Sequence, residues 1–207
     1  MPDTSRTIAL ADRIDRLNAA VGRTAAWVCL LVVLVQFAVV VMRYVFGAGS
    51  IWLTETIIYG HATVLMLAAA WTLREGGHVR VDIFYSDAGP RRRALIDLGG
   101  ALLLLLPFML VLLWFALPYV ARSWSIMETS RETSGLPWVY LLKTLIPAFA
   151  VLMALQGIAQ AIRAAHVLHT PPVTPGFDPP AGRSPSAGEG PGVHSSSHDG
   201  LPDHLRQ

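Results

Sequence analysis

Residues Leu98–Ala121, LGGALLLLLPFMLVLLWFALPYVA, run for 24 positions without a single Asp, Glu, Lys or Arg. A helix rises about 1.5 Å per residue and the hydrocarbon core of a bilayer is about 30 Å thick, so about 20 apolar residues are enough to cross it. Leucine dominates the run, and Pro107 and Pro118 interrupt it without adding any ligand group. It reads as a spanning scaffold helix that can kink.

Working outward, three more runs of this kind appear: Thr24–Met42, Thr56–Leu73 and Thr144–Ile162, of 19, 18 and 19 residues. The whole chain of 207 residues is 53% hydrophobic and 14% charged, whereas soluble domains carry roughly a quarter charged residues. Lipid is the expected solvent. The expected fold is an all-α integral membrane protein with four transmembrane helices, at residues 24–46, 51–73, 94–121 and 138–163 of a domain covering 24–166. Ser50 and Trp52 suit the start of the second span and Pro90 the first turn of the third. A cleaved leader is not expected despite Gly47, Ala48 and Gly49, because the first run is longer than the roughly 7–15 residues of a signal core.

Lys and Arg divide unequally between the two sides of these spans. Arg6, Arg13, Arg16, Arg23, Arg74, Arg80, Arg91, Arg92, Arg93, Arg163, Arg183 and Arg206 fall on one side; Arg43, Arg122, Arg131 and Lys143 fall on the other. By the positive-inside rule the side with twelve is cytoplasmic, which puts both termini there. The net charge of +2 is too small and too scattered for a nucleic-acid surface.

Residues 1–23 form an arm in which Leu10, Ile14, Leu17 and Val21 recur at helical spacing while Asp12, Arg13, Asp15 and Arg16 lie elsewhere on the wheel. This predicts an N-terminal amphipathic helix, flat at the cytoplasmic interface or docked on a partner, and outside the core in both cases. At the other terminus, residues 167–207 are expected to be a disordered cytoplasmic tail, since from Pro171 onward Pro, Gly and Ser dominate. Its His194, His198 and His204 have no fixed geometry with which to hold a metal.

Few side chains in the spans carry chemistry. Arg43 lies just before the turn at residues 47–50 and Glu55 just beyond it, at depths of roughly 6–8 Å. Three arrangements follow: they pair across the hairpin, pair with another chain, or each reach separately to the surface. His61 is the lone histidine deep in a span, and without a second axial ligand it does not make a haem site. Cys29 is the only cysteine, so no disulfide forms within the chain. Ala150, Ala154, Gly157 and Ala161 make a shallow face along the fourth span, open to a helix of this chain or of another. After the second span, Gly76-Gly77 ends the helix and leads into His78-Val79-Arg80-Val81-Asp82-Ile83, whose alternation suggests an extended or interfacial segment. No cofactor, metal or catalytic motif is expected.

Taken in order, Arg43, Trp52, Glu55, the segment Arg74 to Gly77, His78, Val79, Asp82 and the sequence Gly135-Leu136-Pro137-Trp138 resemble the small membrane subunit, of the DctQ type, of tripartite ATP-independent periplasmic (TRAP) transporters. The likeness covers roughly residues 20–166. It implies a scaffold role beside a large permease subunit, receipt of a periplasmic solute-binding protein, and sodium-coupled uptake of an organic acid across the inner membrane. The long Pro-rich tail departs from the short ending the family leads one to expect. Two other readings compete: a self-contained proton-coupled exporter that works as a homo-oligomer through Glu55, and a haem- or quinone-linked membrane oxidoreductase.

Overall fold

The structure is a computed structural model describing residues 4–77 and 89–169, and within them every regular element is helical. Helix α1 covers Thr4–Val45 and α2 covers Ile51–Arg74. The third span is one helical run with a change of register inside it: α3, Pro90–Gly99, a π-helical segment, Gly100–Leu105, and α4, Leu106–Ser125. The last helix, α5, covers Val139–His169. Four of these helical runs are long and apolar enough to cross a membrane. His78 and Asp82, the segment around them and the tail from residue 170 lie outside the described residues.

Local chemistry sets the helix ends. Ser50 caps α2, its hydroxyl accepting from the Leu53 N–H at 3.4 Å. At the other end Gly76 takes a φ of +71°, which lets its N–H reach the Leu73 carbonyl and the Gly77 N–H reach the Thr72 carbonyl. This is the double bond of a Schellman stop, and it consumes carbonyls that would otherwise be orphaned. The π segment precedes Pro107, which has no N–H to give and whose ring crowds the carbonyl four residues back. Widening the turn relieves that clash: the Leu106 N–H bonds to the Ala101 carbonyl, five residues back.

The arm departs from expectation. α1 runs for 42 residues without a break, because nothing between Val21 and Thr24 terminates a helix; charge stops there, hydrogen bonding does not. Nor is the arm held out of the core. Ala11 and Ile14 are buried against Ala159 of α5, with Leu155 and Ile162 packed around them. α5 also continues to His169, so residues 167–169 are helical.

α5 packs against every other helix, while α1 and α2 form a hairpin beside it and the α3–α4 run lies along it. Ala70 of α2, Met109 of α4 and Ala150 and Met153 of α5 make the main buried cluster. Lipid is as apolar as these side chains, so close van der Waals packing rather than removal from water holds the helices together. Accordingly the α1–α2 contact is made at glycines. A Cβ at Gly60 would collide with the Val32 side chain, and one at Gly22 would come within 2.6 Å of Trp71. Gly60→Val is therefore expected to cost about 1–3 kcal/mol by overpacking. Gly49→Ala, where nothing lies within 4 Å of the added carbon, should be near neutral. Thermal unfolding of the two variants in detergent checks the contrast.

Candidate functional site

Two polar assemblies hold the bundle, one at each end of α5. The first joins three helices. Asp15 of α1 accepts from Gln156 Nε2 of α5 at 3.1 Å and from Arg163 Nη2 of α5 at 2.5 Å, and Arg74 of α2 approaches it at 3.5 Å. Asn18 Nδ2 donates to Gln156 Oε1 at 2.6 Å, and Arg163 also reaches Asp12 at 3.0 Å. Gln156 is fully buried, with Asn18 and Asp15 nearly so. Gln160 Nε2 satisfies the Leu73 carbonyl in the last turn of α2 at 3.2 Å. The arm is thus fixed to the bundle by hydrogen bonds as well as by Ile14.

At the opposite end both oxygens of Glu55 are occupied. Oε1 accepts from the Ser130 hydroxyl and Oε2 from the Leu136 N–H at 2.5 Å, folding the segment between α4 and α5 over the start of α2. Gly135 makes the fit possible, since a Cβ there would strike Ser130 and Glu55. Beside it Glu128 accepts from Ser123 Oγ at 2.7 Å and pairs with Lys143 Nζ at 2.5 Å, and Lys143 sits 4.3 Å above the Tyr119 ring. Hydrogen bonds from Lys143 and Ser123 hold the Glu128 carboxyl below its ordinary range. Its support of the loop is thus present at neutral pH and is lost only as pH falls through that lowered value. Trp124 Nε1 donates to Thr144 Oγ1 at 2.9 Å and packs edge-on against Tyr140.

Between α1 and α2, below this loop, lies a half-open cleft of about 390 Å³. Val32, Trp52, Tyr59, Gly60, Leu136 and Trp138 are among its lining, which is almost wholly apolar. The lining carries no charged side chain, and among its few polar groups the buried Tyr59 hydroxyl has no hydrogen-bond partner among the described residues.

The residues singled out from sequence are placed as follows. Arg43 and Glu55 do not pair with one another: Glu55 is spent on the loop, and Arg43 is exposed in the last turn of α1, where its charge complements the carbonyl end of the helix. Trp52 is half exposed at the mouth of the cleft. The small face of α5 is occupied inside the chain, Ala150 and Ala154 by the cluster with Ala70 and Met109, and Gly157 by Leu105, whose Cδ2 would lie 2.8 Å from an added Cβ. His61 is exposed on α2. Among the described residues no group of three His, Cys, Asp or Glu is placed to hold a metal ion.

Sequence reasoning missed the Asp15–Asn18–Gln156–Arg163 assembly. A neutral amide does not interrupt a run defined by the absence of Asp, Glu, Lys and Arg, so Gln156 leaves no mark on the last span. Asn18 sits between Ile14 and Val21 on the apolar stripe of the arm and was the available signal.

Four membrane-length helices, joined by polar assemblies at the two ends of α5, define a multi-pass membrane protein. The chain belongs to the DctQ component family of tripartite ATP-independent periplasmic transporters, whose family model matches residues 31–166. That is a family of transporter components of the inner membrane and not of enzymes. The match begins inside α1, so Asp15 and Asn18 fall outside it while Arg74, Gln156 and Arg163 fall within. Comparison with curated proteins gives no match, and neither does comparison with solved structures.

Glu55→Ala should free the Leu136 amide and the loop around it. Hydrogen exchange is expected to rise at residues 130–136 and to change little at 150–160, and mass spectrometry of the purified chain reads both. Asp15→Ala should cost about 1–3 kcal/mol, discounted because Arg163 is partly exposed and can rehydrate. Asp15→Asn, which keeps an acceptor for Gln156, should cost less; chemical denaturation followed by tryptophan fluorescence separates the two.

Proposed function

We propose that this chain is the small permease subunit of a TRAP transporter, a static scaffold for a large permease subunit in binding-protein-dependent, sodium-coupled uptake of an organic acid. The observation that carries the reading is the state of Glu55. A carboxylate that exchanges protons with a cargo or an ion gradient must be reachable, and both oxygens of Glu55 are taken by donors of the same chain. The carboxylates Asp15 and Glu55 serve the fold, and in this reading the substrate site belongs to another subunit. This also speaks against the self-contained exporter, whose coupling would rest on Glu55.

In this reading both termini face the cytoplasm, so the Asp15 assembly lies on that side. The Glu55 loop is then periplasmic, where a solute-binding protein docks. His78 and Asp82 belong to the cytoplasmic connection between the second and third spans, and the segment from residue 170 forms a cytoplasmic tail dispensable for transport.

Co-expression tests the assignment. Affinity purification of the tagged chain is expected to bring down a large multi-span permease in near-equal amount, and proteoliposomes should require both for solute uptake driven by a sodium gradient. Recovery of self-associated chain alone, or uptake by this chain alone, would overturn it.

A further inference from the structure

His61 lies near the middle of α2, about 15 Å from the Ile51 end and about 20 Å from the Arg74 end at 1.5 Å per residue. An imidazole is too short to reach either interface from there, unlike the long side chains of Lys and Arg. It nevertheless points out of the chain. Thr54, Ile58, His61 and Leu65 follow one another at steps of four, three and four, and all are exposed. His61 has no hydrogen-bond partner among the described residues, and the Thr54 hydroxyl is used by its own helix, donating to the Ser50 carbonyl at 3.0 Å. This outward stripe thus carries an ionisable group at mid-depth, where lipid supplies neither donor nor acceptor and such groups are found turned toward protein.

We infer that this face of α2 is where the large permease subunit docks, through a membrane helix that presents a hydrogen-bonding side chain to His61 at mid-depth. The inference rests on the scaffold reading above and adds the place of contact. A helix, rather than an acyl chain, is the occupant because only protein brings a polar partner to that depth. The stripe fits one, with branched Ile58 and Leu65 flanking the imidazole at the spacing of a single helix face. The clamps at the two ends keep α2 from turning this face inward, since Glu55 fixes its start to the loop and Arg74 ties its end to Asp15.

Photo-crosslinking in the co-expressed pair tests the face. A photoreactive phenylalanine at Leu65 should give an adduct of the combined mass of the two subunits at least several-fold more abundantly than one at Phe115, an equally exposed position on α4. His61→Leu should lower recovery of the large subunit several-fold, while His61→Gln, which keeps hydrogen-bonding groups, should retain most of it. An adduct from Phe115 and not Leu65, an adduct between two copies of this chain from Leu65, or full recovery with His61→Leu would overturn the inference. Each of these is read with the unsubstituted chain still recovering the permease, so the face fails alone; if the unsubstituted chain recovers none, the scaffold reading itself has failed.

Discussion

A bilayer gives apolar side chains no reason to leave its surface, but it tolerates a polar group only where a partner stands beside it. The few polar residues of this chain therefore fix its tertiary structure, and two carboxylates do most of that work. Asp15 collects donors from α2 and α5, and Glu55 collects two from the segment between α4 and α5. Together they set the register of α2 at both of its ends and the position of α5 against the arm. Between these points the helices meet through glycine, alanine and methionine, which permit close approach but favour one rotation over another only weakly.

α5 is the shared wall of the bundle, and its small residues explain why. Ala150 and Ala154 admit α2 and α4 on one stretch, and Gly157 admits Leu105 of the π segment further along. The wider turn before Pro107 thus lies where the third span passes closest to α5. A proline that would only have bent a free helix here coincides with a packing contact.

The proposed scaffold role rests on the same constraint. Carboxylates closed by intrachain donors and a cleft with an apolar lining suit a component that holds a shape, and membership in a transporter component family agrees with that. On α2 the outward stripe carries His61 to a depth where no described residue hydrogen-bonds to it.

The number of membrane helices and the all-helical class were legible in the sequence, because a run of about 20 residues without charge has one stable answer in lipid. Ser50 and Gly76 were legible too, since caps and left-handed glycines act within a few residues of themselves, whereas the π-helical turn before Pro107 was not. The end of the arm was not. A change from charged to apolar composition marks a change of surroundings and not the end of a helix, and α1 continues through it. The polar assemblies were beyond reach for another reason. Glu55 meets Ser130 and Leu136 across 75 and 81 positions, and Asn18 meets Gln156 across 138. Arg43, the nearer candidate in sequence, is not the partner of Glu55. Depth along a helix can be counted from residue numbers, but the direction a side chain faces around it depends on rotation, and rotation is decided only when all the helices pack together.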